Sequence, residues 1–318
     1  MAEDTLFSVN EAIISNLKRL SKEQSILEEL RAYELYDVAR AMADITSELR
    51  DEGLDVYEIL SLLSESLELD YYPISDENTV TFRPLVEKSR LAAASVDRNL
   101  LTELYLGICN ESSHPLTERD FLPGAETTET FTYVRNRFSD EAYDVFSQDF
   151  YDPKVRYSPN FKDAAASVSS GEIGYCLLPL EERGGVRLHT VSEIIFRNDF
   201  KINSVIPVFG PDANADLKYA LVSKSFSVPK RLADDDVYLE IRVEQSTDSR
   251  LFELFAAVEH FGMSVYRVNT LTFDTEDDRE IYFSVVIKGG CGDFCSILTY
   301  MTLFLRDFVP VGIYKNLE

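Results

Sequence analysis

The hydrophobic period of this chain changes along its length, and that change restricts what it can fold into. Over residues 235–318, the alternating runs "VYLEIRVE", "MSVYRVNTLTF", "REIYFSVVIKG" and "VPVGIYK" are interrupted by two stretches of helical period, "SRLFELFAAVEHFG" and "GDFCSILTYMTLFLRDF". Alternation sends successive side chains to opposite faces of a strand, whereas a 3.6-residue period lines up one face of a helix. The order is strand, helix, strand, strand, helix, strand. Residues 1–117 hold no strand of this kind.

The first 117 residues read as helical. From Ser21 to about Leu49, Leu27, Leu30, Ala32, Tyr36, Ala39 and Ile45 fall near one face, with Ser21 and Gln24 at capping-box spacing and Gly53 as the stop. A second helix opens at Asp55, with Glu58 three residues on, and carries Ile59, Leu60, Leu62, Leu63 and Leu67. Two more are expected at about 84–94 and 97–111. Between the helical and alternating parts lies an α/β stretch, 118–228. Here "ERDFLPG", "GYCLLPL", "INSVIPVFG" and "KYALVSKSF" read as strands, and "NFKDAAASVSSGE" as a helix capped by Asn160 or Ser158 and stopped by Gly171.

These runs predict three domains: an all-helical region, 1–117; an α/β domain, 118–228; and a C-terminal α+β domain, 235–318, in which βαββαβ is the ferredoxin-like order, two helices on one face of a four-stranded antiparallel sheet. A net charge of −25, from 56 acidic against 31 basic residues, excludes nucleic acid and anionic membrane as partners, because phosphate binding draws on Lys and Arg. An anionic ligand would need basic groups gathered at its own site. The four Cys are scattered, the N-terminus has acids where a secretory leader would be basic, and no apolar run approaches membrane length, so the expected location is cytoplasmic. No metal-ligand spacing, P-loop or dinucleotide glycine pattern is present, so neither a metal nor a cofactor is expected.

The βαββαβ unit closing on "PVGIY" resembles the ACT domain, a small amino-acid-sensing module. Before it, "FKDAAASVSSGEIGYCLLPLEERGGV" resembles the helix, Gly-Glu-x-x-x-Gly-x-x-Pro-Ile-Glu-Asn-Ser strand end and glycine turn of prephenate dehydratase, whose lobes are periplasmic-binding-like; Pro179, Glu181 and Gly185 keep the pattern. "DFLPGAETTETFTYVRNRF" looks like that family's opening strand, leading to an Arg-x-x-Phe helix end. "LRDEGLDVYEILSLLSESLEL" and "LLTELYLGICNESSHPL" look like the first and last helices of an all-helical chorismate mutase. The resemblance covers about residues 49–318, in the order mutase, dehydratase, ACT.

The resemblance also locates the chemistry. Arg50 stands at the mutase's first arginine, Ser66 replaces the second, a glutamine position falls at about Leu116, and Arg83, Lys88 and Arg90 are further basic groups. The dehydratase's Thr-Arg-Phe strand aligns with "KYALVSKSF", giving Lys218, Tyr219 and Ala220; with Glu181 and Arg50, Lys218 and Tyr219 are the catalytic candidates. The ACT effector positions fall at Ser249 and Arg250 and at Asn269 and Thr270, the ligand-binding candidates. Only nine residues separate Val208 from Lys218, where the family inserts a second lobe, and a domain needs about 50 residues. A single-lobe dehydratase-like domain is therefore expected, with the strand end around Pro179 and Glu181 open to solvent. Glu182 and Arg183 are expected to pair with one another or with water. The implied function is a catalytically degenerate, prephenate-dehydratase-like ACT protein of phenylalanine and aromatic amino-acid biosynthesis. It would act as a small-ligand-binding or regulatory homodimer, its ligand an amino acid or an aromatic-pathway metabolite. The alternative is a working prephenate dehydratase, with or without mutase activity, that makes phenylpyruvate.

Overall fold

The computed structural model describes residues 18, 21, 22, 25, 32–68, 98–112, 114–125, 127–182, 185–209, 216–229, 237–245, 251–274, 279–289, 294–305 and 308–315. They fall into two compact units, Met1–Leu116 and Thr117–Glu318.

The first unit contains helices α1 (32–51), α2 (Val56–Glu68) and α3 (Arg98–Glu111). Glycine at 53 has φ +93°; its N–H donates to Arg50 O and that of Leu54 to Leu49 O, the paired bonds that close a helix C-terminus. Asp55 and Glu58 cap α2 reciprocally, as their spacing predicts. The buried stripe of α1 runs through Leu35, Val38, Ala39, Met42 and Ile45. Ala32 and Tyr36, expected on that face, are exposed, because a helix with two candidate stripes turns the more apolar one inward. Thr46 Oγ1 and Tyr105 OH share a 2.8 Å hydrogen bond within the packed helices. The helix expected at 84–94 lies outside the described residues.

The second unit is built on one ten-stranded sheet. Its strands are β1 (Thr130–Val134), β2 (Lys154–Ser158), β3 (Tyr175–Glu182), β4 (Val186–Arg187), β5 (Lys201–Phe209), β6 (Asp216–Ser223), β7 (Val237–Glu244), β8 (Ser264–Asp274), β9 (Arg279–Lys288) and β10 (Phe308–Lys315). The order is β2-β1-β3-β6-β5-β10-β7-β9-β8, with β4 paired to β3. Helices α4 (Glu118–Phe121), α5 (Arg137–Phe146), α6 (Phe161–Ser169), α7 (His189–Arg197), α8 (Leu251–His260) and α9 (Phe294–Phe304) connect or cover the strands.

In "ERDFLPG" the sequence predicts a strand, but the segment forms α4, because the Asp120 carboxylate accepts from the Thr117 N–H at 2.7 Å and opens a helical turn. The first strand is "TFTYV", β-branched and aromatic throughout. The expected Arg-x-x-Phe helix end is instead a helix start: Asn136 caps α5 through the N–H groups of Phe138 and Ser139. Asn160 caps α6 as expected. The four strands and two helices of the alternating C-terminal segment form where the sequence places them, in the antiparallel order β10-β7-β9-β8.

The strands of the α/β and alternating segments join through β5 and β10, which run parallel with Ile202 opposite Gly312. A Cβ at residue 312 would lie 2.6 Å from the Ile202 carbonyl oxygen and 2.7 Å from the Ile202 Cβ, so the approach requires glycine. One hydrophobic cluster spans the seam, with Val191, Ile195, Leu178 and Leu180 from one side and Tyr238, Val286 and Tyr314 from the other. A second cluster, on the α5 face, holds Phe131, Tyr133, Phe146, Leu177 and Tyr219. Gly312→Ala is expected to lower stability by ~1–3 kcal/mol through overpacking. Gly107→Ala, on α3 with open space at its Cα, should raise it by up to ~1 kcal/mol, both read from urea denaturation midpoints.

Candidate functional site

The seam carries a cluster of buried charges. In β3 the register against β6 shifts between Pro179 and Glu181, leaving Leu180 as a bulge. A bulge re-aims the residue after it. It places Glu181 beside Lys218 of β6 on one side and Arg187 of β4 on the other, facing the seam. Glu181 is 6% exposed, not open to solvent as expected, because residues of β4 and β8 cover it. Arg267 Nη1 donates to Glu181 Oε1 at 2.6 Å and to the Gly185 carbonyl at 3.2 Å, while Arg187 Nε lies 3.7 Å from Glu181 Oε1. Glycine at 185, φ +77°, makes room for this: a Cβ there would meet the Arg267 guanidinium at 2.9 Å.

Arg187 reaches across to Glu240 of β7, itself 1% exposed. Glu240 also accepts from Ser284 Oγ at 2.8 Å and from Tyr314 OH at 3.1 Å. Burial alone would lower the Arg187 pKa, but Glu240, Tyr314 and Glu181 together raise it above its usual value. Burial and then Glu240 push Tyr314 well up, so it stays a neutral donor. Two carboxylates and two guanidiniums thus balance, with Glu181, Arg187 and Glu240 almost wholly out of water and Arg267 partly exposed. Behind Arg267 lies a cavity of about 20 Å³, bordered by Glu181, Lys218, Tyr238, Tyr266 and Tyr314.

The catalytic candidates are not brought together. Lys218 borders the seam cavity, whereas Tyr219, one residue on in the same strand, is 3% exposed in the opposite core with Phe131 and Tyr133. Burial raises the Tyr219 pKa and a hydrogen bond with Asn136 opposes the rise. Arg50, in the helical unit, donates to the carbonyl oxygens of His114 and Pro115 at 3.3 and 3.4 Å, and Leu116 is buried.

The ligand-binding candidates also separate. Asn269 lies in a row with Ser284 and Arg242, its Nδ2 buried and without a partner among the described residues; Thr270 faces the other way and is exposed. Ser249, Arg250, Arg83, Lys88, Arg90 and Arg183 lie outside the described residues, as does the side chain of Ser66; Glu182 is exposed. Among the described residues no group of three metal-ligating side chains is present and no helix is long and apolar enough to cross a membrane. Sequence reasoning missed Arg187, Glu240, Arg267, Ser284 and Tyr314; the available signal was Glu240, an acid inside the apolar run "VYLEIRVE".

No family model matches the chain, and no curated protein matches it. Among solved structures it is similar to prephenate dehydratase from Streptococcus mutans, at 11% identity over 60% of this chain and all of that one, with a TM-score of 0.49. It is similar to prephenate dehydratase from Arthrobacter aurescens in complex with L-Phe, at 14% identity over 58% and 90% of the two chains and a TM-score of 0.45. A third, GqqA, described as a novel type of quorum-quenching acylase, shows 13% identity over 59% and 95%, with a TM-score of 0.44.

Removing one member of a buried ion cluster strands its partner. Arg187→Met is expected to cost ~3–5 kcal/mol in urea denaturation. Arg156→Met, which removes an exposed pair with Glu172, should leave the midpoint unchanged.

Proposed function

We propose that this chain is a catalytically degenerate relative of prephenate dehydratase. In this reading its helical unit is chorismate-mutase-like, the α/β segment 118–228 is a single dehydratase-like lobe, and residues 235–318 are an ACT-type unit. It works in the cytoplasm as a small-ligand-binding or regulatory homodimer of aromatic amino-acid metabolism. The reading starts from the order of motifs in the sequence. The observation that carries it further is the split of Lys218 and Tyr219 to opposite faces of β6. Dehydration with decarboxylation needs an acid at the leaving hydroxyl and a cation at the carboxylates on one substrate, and residues on opposite faces of a strand cannot share one.

Two further observations agree. Strands β5 and β6 pair directly up to Phe209 and Asp216, where a second lobe would have to be inserted, and six residues join them. Glu181, the acid kept from the family pattern, already accepts from Arg267.

Incubation of the purified chain with prephenate should yield no phenylpyruvate above the uncatalysed rate, and Lys218→Ala should change stability only slightly. Turnover at enzyme-like rates that Lys218→Ala or Tyr219→Phe abolishes would replace this reading with that of a working dehydratase. Sedimentation across a range of concentrations should show a dimer; a monomer throughout would remove that part of the reading.

A further inference from the structure

Glu181 carries an oxygen that the buried cluster does not use. Its side chain is 8% exposed, Oε1 is held by Arg267, and Oε2 is buried with no hydrogen-bond partner among the described residues. We infer that the seam cavity is a binding site for a small primary amine whose ammonium group donates to Glu181 Oε2. The inference deepens the ligand-binding reading above, and its failure would leave the prephenate result untouched.

Size, walls and charge each narrow the occupant. About 20 Å³ admits one group the size of a water or an ammonium, so the head of a ligand enters and its tail stays outside. The rings of Tyr238 and Tyr266 border the space, and both already attract cations: Lys288 Nζ lies 6.0 Å from the first centroid and Arg267 Cζ 5.4 Å from the second. A carboxylate or phosphate would set its lone pairs against those of Oε2, whereas an ammonium supplies the missing donor. The two guanidiniums and two carboxylates of the cluster cancel, and the chain's net charge of −25 draws cations towards it. Lys218 opposes a second cation, but it has interactions of its own and borders the cavity beside the same Glu181 carboxylate. Tyr266, 45% exposed, and the Arg267 side chain, 23% exposed, bring one wall of the cavity to the surface, at the β8 register shift between Val265 and Arg267.

The test compares melting temperatures of the full chain in methylammonium, tetramethylammonium and sodium chloride at equal ionic strength. Methylammonium should raise the melting temperature in a saturable way. Tetramethylammonium, which has no N–H and is too large, should match sodium. Glu181→Gln should remove the methylammonium effect. Because that variant disturbs the buried cluster and can unfold, Tyr266→Ala provides a second arm: it keeps both carboxylates and both guanidiniums but removes one ring wall of the cavity, and should weaken benzylamine binding severalfold by calorimetry. Equal shifts in all three salts, a methylammonium effect that survives in Glu181→Gln, or unchanged benzylamine affinity in Tyr266→Ala would overturn the assignment.

Discussion

The ion cluster of Glu181, Arg187, Glu240 and Arg267 ties β3 and β4 to β7 and β8, and it is the constraint that fixes how these strands meet. Glu181, Arg187 and Glu240 each lose several kcal/mol of hydration on burial, a loss recovered only against an ionic partner. Apolar packing tolerates small shifts; a buried charge does not. A slip of one residue in β7 would turn Glu240 to the other face and leave Arg187 without its counter-ion. The cluster therefore selects one register and one docking geometry, while the hydrophobic cluster that spans the seam supplies the favourable energy.

Some of this was legible in the sequence and some was not, for identifiable reasons. Period 2 in "VYLEIRVE" and its neighbours placed β7 to β10 closely, because alternation is a local signal. The same alternation put Tyr238, Glu240 and Arg242 on a face that reads as solvated. That face is covered by α7, whose Phe196 ring lies 4.3 Å below the Arg242 guanidinium, and by β4, and nothing local announces a cover brought from 50 residues away. Motif spacing singled out Glu181, but the bulge at Leu180 that turns it towards the seam depends on pairing with β6, which is not a local property. The assignment of Lys218 and Tyr219 to one site could have been refused from the sequence alone, since neighbours in a strand face opposite ways. The apolar residues of "ERDFLPG" suggest a strand, whereas Thr117 and Asp120 stand at the spacing that opens α4 in the structure.

The two faces of β6 now have separate characters. On the α5 side Tyr219 is buried in an aromatic core, with Phe131 and Tyr175 stacked at 5.4 Å. On the other side Lys218 meets a polar seam made from five strands, β3, β4, β7, β8 and β10.

The pairing of β5 with β10 has a consequence for synthesis. The strand beside β5 on its outer edge is made about a hundred residues later, so the emerging chain carries a completed α/β half whose edge has no partner until Phe308–Lys315 appear. A long apolar edge left open for that time is a template for pairing with other nascent chains. On the ribosome, Ile202, Val205 and Ile206 thus belong to a segment in need of shelter, and the strand that supplies it is the last described element to be made.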